Sequence, residues 1–195
     1  RWRRWDVTVR DLVLALSLGV ASLVPALHNR GTQLGDLPTR PMDAWTIAVV
    51  ALECLPLAVR RRWPALCLAL VSVGFAVDQL RGYHMVAGTA LPIALLSAAV
   101  HLDRYRRATV VLASAGYVPL AFALDRHGST EGPVGFLTFY LALALIWGVG
   151  AWLRLSRAAE EERRRRVAEW RAANAAWLIA NALVAGVPLE VVRAR

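Results

Sequence analysis

The chain has 195 residues, 57% of them hydrophobic and 19% charged, with a net charge of +9. That apolar share lies above the soluble average and the charged share below it, and the apolar residues come in long blocks, not in the narrow stripes of a soluble domain. Two cysteines, Cys54 and Cys67, both inside apolar blocks, argue against a disulfide scaffold or a thiolate metal site. All the basic residues are Arg and cluster at the ends of the blocks, a placement that argues for membrane topology and against nucleic acid.

The segment RWRRWDVTVRD, 1–11, is basic and carries Trp2 and Trp5, as a cytoplasmic juxtamembrane segment at headgroup level does. A first span is expected over 12–27, with Pro25 near its outer end. A loop follows over 28–43, with turn signals at Gly31, Gly35, Pro38 and Pro41. The second span, 44–59, stops at Arg60, Arg61 and Arg62; Pro64 then suits the first turn of the next helix. The third span, 64–77, is closed by Asp78, Gln79, Arg81 and Gly82. The fourth, 86–100, ends in HLDRYRR (101–107), and the fifth, 108–124, runs into DRHGSTEG (125–132). The sixth, 134–153, is about 30 Å long at 1.5 Å per residue. Several blocks are nearer 15 than 20 apolar residues, as in short or tilted spans with polar ends, or in a re-entrant or interfacial helix.

This pattern predicts an all-α fold: a polytopic membrane bundle of about six transmembrane helices over 12–155, with a cytoplasmic helical tail over 156–195. Arg asymmetry orients it. With the N-terminus inside, inner segments hold Arg1, Arg3, Arg4 and Arg10, then Arg60 to Arg62, then Arg104, Arg106 and Arg107, then the tail. Outer loops hold only Arg30, Arg40, Arg81 and Arg126. The positive-inside rule then places both termini in the cytoplasm of a multi-pass protein of the cell's inner membrane.

The tail begins SRAAEEERRRRVAEWRAA, 156–173, without Gly or Pro. Glu160, Glu161 and Glu162 precede Arg164, Arg165 and Arg166 by four residues, the favourable order for ion pairs on a helix. A helix leaving the bilayer directly from the sixth span is expected. The apolar run 175–187 is too short for an ordinary span; it is read as a packing face or a surface-lying segment ended by Gly186 and Pro188.

No catalytic signature is present: no phosphate-binding Gly loop, HExxH, GxSxG or CxxC. His28, His84, His101 and His127 are scattered, none four residues from another, and neither a metal site nor a cofactor is expected. Glu53 stands out, near the middle of the second span, where an ionisable group costs a few kcal/mol or more. It is expected to face the bundle interior, either as a proton-, ion- or ligand-sensitive switch or as a neutral acid bonded to a neighbouring helix. Asp78, Arg81 and His84, with Tyr83 near them, gather at the outer end of the third span; a local Asp78–Arg81 pair and an outer-face binding pocket are one reading, and ordinary loop polarity is the other. Arg163, Arg164, Arg165 and Arg166 read as a transmitter helix or as a solvated face near anionic lipid.

Three stretches carry a resemblance: AVRRRWPALCLALV (58–71), AAVHLDRYRRATVVLA (98–113) and WGVGAWLRLSRAAEEERRRRVAE (147–169). In order, spacing and topology they resemble the N-terminal membrane domain of actinobacterial sensor histidine kinases that partner LuxR-type response regulators. An all-Arg basic complement fits the GC-rich genome of such an organism. The resemblance implies a helical sensor bundle, a signalling helix, homodimerisation, and a phosphoacceptor helix and ATP-binding domain further on. The family's phosphoacceptor box reads like E-R-x-R-I-A-R-E-L-H-D. Here 164–171 is the nearest stretch, and Arg171 and Ala172 stand where the His and Asp would fall. The expected function is therefore a membrane input module, itself non-catalytic, in a truncated kinase or a degenerate paralogue. The alternative is an accessory subunit of a larger membrane complex. Expected partners are the lipid bilayer, a second copy or other membrane subunits, and a transporter or kinase core.

Overall fold

The computed structural model describes residues 2–27, 30–35 and 37–184; among these there is no strand. Six α-helices follow in order: α1 (Trp2–Leu23), α2 (Ala44–Cys54), α3 (Pro64–Arg81), α4 (Ala90–His101), α5 (Arg106–Arg126) and α6 (Pro133–Val184). Short 3₁₀ segments sit at Pro25–Leu27, Leu55–Val59 and Val86–Thr89. The fold is all-α, as composition and block length predict.

Local chemistry sets the ends. Asp43 caps α2: its Oδ1 accepts from the Thr46 amide at 3.1 Å, and Thr46 Oγ1 accepts from the Asp43 amide at 3.0 Å, a reciprocal capping box. Pro56 has no N–H to return to Leu52, so α2 closes at Cys54 and the chain tightens into 3₁₀ turns through Val59. Pro64 opens α3, and Gly82, at φ 69°, closes it in the left-handed conformation.

The helix beginning at Trp2 makes the basic N-terminal segment continuous with the first apolar block. The Trp2 and Trp5 side chains, His28, and the predicted stop at Gly186 and Pro188 lie outside what is described. The third helix runs past its expected end at residue 77 to Arg81, which brings Asp78 inside it.

Among the described residues, three helices are long and apolar enough to cross a membrane: α3, α5 and α6. The composite segments Ala44–Val59 and Val86–His101 are shorter and also apolar. Counting 1.5 Å per α residue and 2.0 Å per 3₁₀ residue, each composite reaches about 26 Å, near the thickness of a hydrocarbon core.

The chain divides into two compact units, Arg1–Trp152 and Leu153–Arg195. In the first unit the core lies among α1 to α4, around Leu57, Val71, Phe75, Ala90, Ala94 and Ala98. On the outer helices the only fully enclosed large residue of α5 is Leu124, while Val111, Leu112, Val118 and Phe122 are more than half exposed. Leu137, Leu141 and Leu145 of α6 are exposed in the same way. Such a continuous apolar exterior would be an aggregation site in water and suits lipid. In the second unit, every residue from 155 to 181 is exposed.

Candidate functional site: an acidic interior and its two polar ends

Glu53 is fully buried, on the face of α2 that meets α3. Neither carboxylate oxygen has a hydrogen-bond partner. The crossing is tight because Gly74 lies opposite: a Cβ there would stand 2.6 Å from Glu53 Cγ and 3.2 Å from its amide nitrogen. One turn further along α3, on the same face, the buried Asp78 interacts with Glu53 through space. Two carboxyl groups thus share an interior in which an unpaired charge is expensive.

Asp78 is tied from the other side. Its Oδ2 accepts from Gln79 Nε2 at 2.9 Å, and Oδ1 lies 3.5 Å from the Met85 amide. Gln79, fully buried, clamps the loop between α1 and α2: Oε1 accepts from the Leu34 amide at 2.8 Å, and Nε2 donates to the Thr32 carbonyl at 2.9 Å. His84 Nε2 lies 3.1 Å from the Leu37 carbonyl. A carbonyl only accepts, so Nε2 carries the proton; buried Nδ1 has no partner. The Gly31 amide donates to the His84 carbonyl at 3.1 Å and the Arg40 amide to the Gly82 carbonyl at 2.9 Å. A Cβ on Gly82 would come within 2.5 Å of the Pro38 carbonyl oxygen, so the loop lies directly on this turn.

These contacts correct two expectations. Arg81 pairs with Asp43 (3.7 Å) and stacks over Trp45, not with Asp78. Asp78 points into the bundle, whereas Arg81, three residues on, remains one-third exposed. Asp78 and His84 do reach the same end of the bundle, but as buried groups sealed beneath the loop, not as walls of an open pocket. The loop's own backbone groups need partners away from solvent, and Gln79 and His84 supply them.

Tyr83 completes this end, donating to Asp43 Oδ1 at 2.5 Å. That bond, above all, holds the Asp43 carboxyl below the usual carboxylate range; desolvation opposes it, and the Thr46 and Trp45 amides and Arg81 add to the lowering. Tyr83→Phe is expected to lower stability by about 1 kcal/mol, read as an earlier unfolding midpoint in a denaturant titration in detergent.

At the opposite end of α2, the arginine run meets a single acid. Asp11 Oδ1 accepts from Arg60 Nη2 at 2.6 Å, and Oδ2 from Arg61 Nε at 2.8 Å. Burial pushes the Asp11 carboxyl up, but its hydrogen bonds and charge pairing with both guanidiniums outweigh that and hold it below the usual range. Its only mark in the sequence is being an acid within a basic stretch. Gln79 and Tyr83 were legible only as polar residues at the end of the third span, not by the partners they meet.

On α6, Arg163, Arg164, Arg165 and Arg166 are all exposed. Arg164 pairs with Glu160 at 2.5 Å and Arg166 with Glu162 at 2.9 Å, the four-residue pairs that the spacing predicts. Exposed pairs of this kind contribute only about 0.3–0.5 kcal/mol each. Among the described residues, no group of three or more His, Cys, Asp or Glu converges as a metal site.

An apolar exterior around a buried acid pair defines a helical bundle of the membrane type. Residues 1–157 match the family model of a domain of unknown function, DUF7134, and the chain belongs to that family. No curated protein and no solved structure matches it.

Proposed function

We propose that this protein is a membrane-embedded input module of the two-component histidine-kinase type, itself non-catalytic, with Glu53 as its intramembrane switch. The observation that carries the reading is the Glu53 carboxyl: fully buried, without a hydrogen-bond partner, and close to a second buried acid. A group held at such cost is a stored bias that protonation, a cation or a ligand donor can relieve, and relief changes how α2 and α3 pack. The Arg asymmetry supports a six-span, inner-membrane topology with both termini cytoplasmic. In this reading the last span passes a small rotation or tilt into its own continuation at 156–173, and two copies act together. A switch requires two arrangements whose balance the stimulus shifts.

The test uses the full chain in proteoliposomes with spin labels at Ser156 and Arg163. Glu53→Gln is expected to shift the distance distribution between labels on paired copies. Identical distributions, in a variant that remains folded, would remove Glu53 from the relay.

A second reading, an accessory subunit of a larger membrane complex, is favoured by the exposure of Val167, Trp170, Trp177, Leu178 and Ile179 on the tail. Stoichiometric copurification with other membrane proteins would support it; a homodimer alone supports the sensor.

A further inference from the structure

A cavity of about 440 Å³ lies between α3 and α5, floored by Phe75, Leu95 and Phe139. Its walls run from Ala65 to Ala76 on α3 and from Thr109 to Leu120 on α5. At 1.5 Å per residue each wall is about 16 Å long. No charged side chain lines it. Two of its three hydroxyls are already engaged: Thr109 donates to the Tyr105 carbonyl and Tyr117 to the Phe136 carbonyl. Ser72 is the third. Ala69, Ala76, Ala113 and Gly116 keep the walls low, and a Cβ on Gly116 would meet nothing within 4 Å. The chemistry on offer is that of hydrocarbon.

The hydroxyl of Ser97, near the end of α4, lies 3.4 Å from the Arg60 carbonyl just before α3, and Arg106 at the start of α5 donates to the Ala99 carbonyl at 2.8 Å, so α3 and α5 begin at the same end of the crevice. That end carries Arg62 just before α3 and Arg107 in the first turn of α5, both exposed. Arg62 lies against the Trp63 ring. The two N-termini add their partial positive charge. One end of the crevice therefore favours an anion and the remainder a chain about 16 Å long. Basic clefts between membrane helices take anionic headgroups in this manner. A second copy is the poorer occupant: copies in one membrane share an orientation and would set one arginine-bearing end against another.

We propose that this crevice binds one anionic phospholipid, an acyl chain between α3 and α5 and its phosphate at Arg62 and Arg107. The proposal rests on the chain lying in a bilayer and not on its being a sensor. The test is native mass spectrometry of the detergent-solubilised protein, titrated with phosphatidylglycerol or with phosphatidylcholine of the same chains. One phosphatidylglycerol per chain is expected to be retained in preference to phosphatidylcholine. Arg62→Gln and Arg107→Gln should each lower that preference about fivefold, the equivalent of about 1 kcal/mol per basic residue near a membrane surface. Gly116→Leu, whose Cβ would meet nothing within 4 Å and whose side chain would occupy the crevice, should abolish retention of both lipids while circular dichroism remains that of the parent. Equal retention of the two lipids, or retention unchanged in a folded Gly116→Leu protein, would overturn the proposal. Because the readout is lipid mass, it fails or succeeds independently of the spin-label result.

Discussion

Asp11→Ala is expected to destabilise the bundle by about 3 kcal/mol, the low end of the range for removing one partner from a buried ion pair. The Asp11 side chain is only 4% exposed and accepts from two guanidiniums, and Arg60 is itself 19% exposed. Truncation leaves the largely enclosed Arg60 without its counter-charge. The loss should appear as a lower unfolding midpoint in detergent and as faster proteolysis of α1, since this acid ties α1 to the turn between α2 and α3. Its pH dependence has a definite sign. The folded carboxyl titrates below its ordinary value of about 3.8. The stabilisation is therefore complete above that value and disappears as pH falls through the lower, folded value. Parent and variant should differ by a constant amount from pH 8 to pH 5 and converge below about pH 4. A gap that closes already between pH 8 and pH 5 would show that Asp11 does not hold α1 by charge.

Gly74→Val is expected to cost about 2 kcal/mol. A Cβ alone would press on Glu53 Cγ at 2.6 Å, on its amide nitrogen at 3.2 Å, and on the Leu52 carbonyl carbon at 3.4 Å. Backbone atoms cannot move aside without separating the helices, and overpacking of this kind costs about 1–3 kcal/mol. Better helix propensity than glycine returns a few tenths of that. The pairing with Glu53 is testable by a double-mutant cycle. Glu53→Ala removes the Cγ, so the double variant should recover about 0.5–1 kcal/mol of the loss. Additivity of the two changes would mean that Glu53 and Gly74 do not meet.

Both sites show how differently the sequence and the tertiary structure bear on this protein. The helical class, the six blocks and their approximate limits follow from composition and local chemistry. Pro64 opens α3 and Gly82 closes it because their backbone restrictions act within a few residues. The interior orientation of Glu53 was also legible, since a carboxyl in the middle of an apolar block has no other inexpensive place. The ion pairs of Glu160 with Arg164 and of Glu162 with Arg166 follow from helical spacing alone.

What the sequence could not reveal were the partners. Asp11 lies 49 residues from Arg60, and Gln79 lies 45 from Leu34; nothing local selects those pairings over others. Asp78 and Arg81 look like neighbours because they are three apart on a helix, yet Arg81 turns to Asp43 and Trp45 while Asp78 enters the bundle. The sealing of His84 beneath the loop at Leu37 has the same origin: buried loop amides and carbonyls require partners, and which side chains supply them depends on where the chain returns in space. The approach of Gly74 to Glu53 and the crevice beside Gly116 are likewise properties of helix packing. Sequence by itself determined which segments are helical and which acid is costly; only the tertiary structure decided what each polar group meets, because pairing energy depends on distance in space and not on separation along the chain.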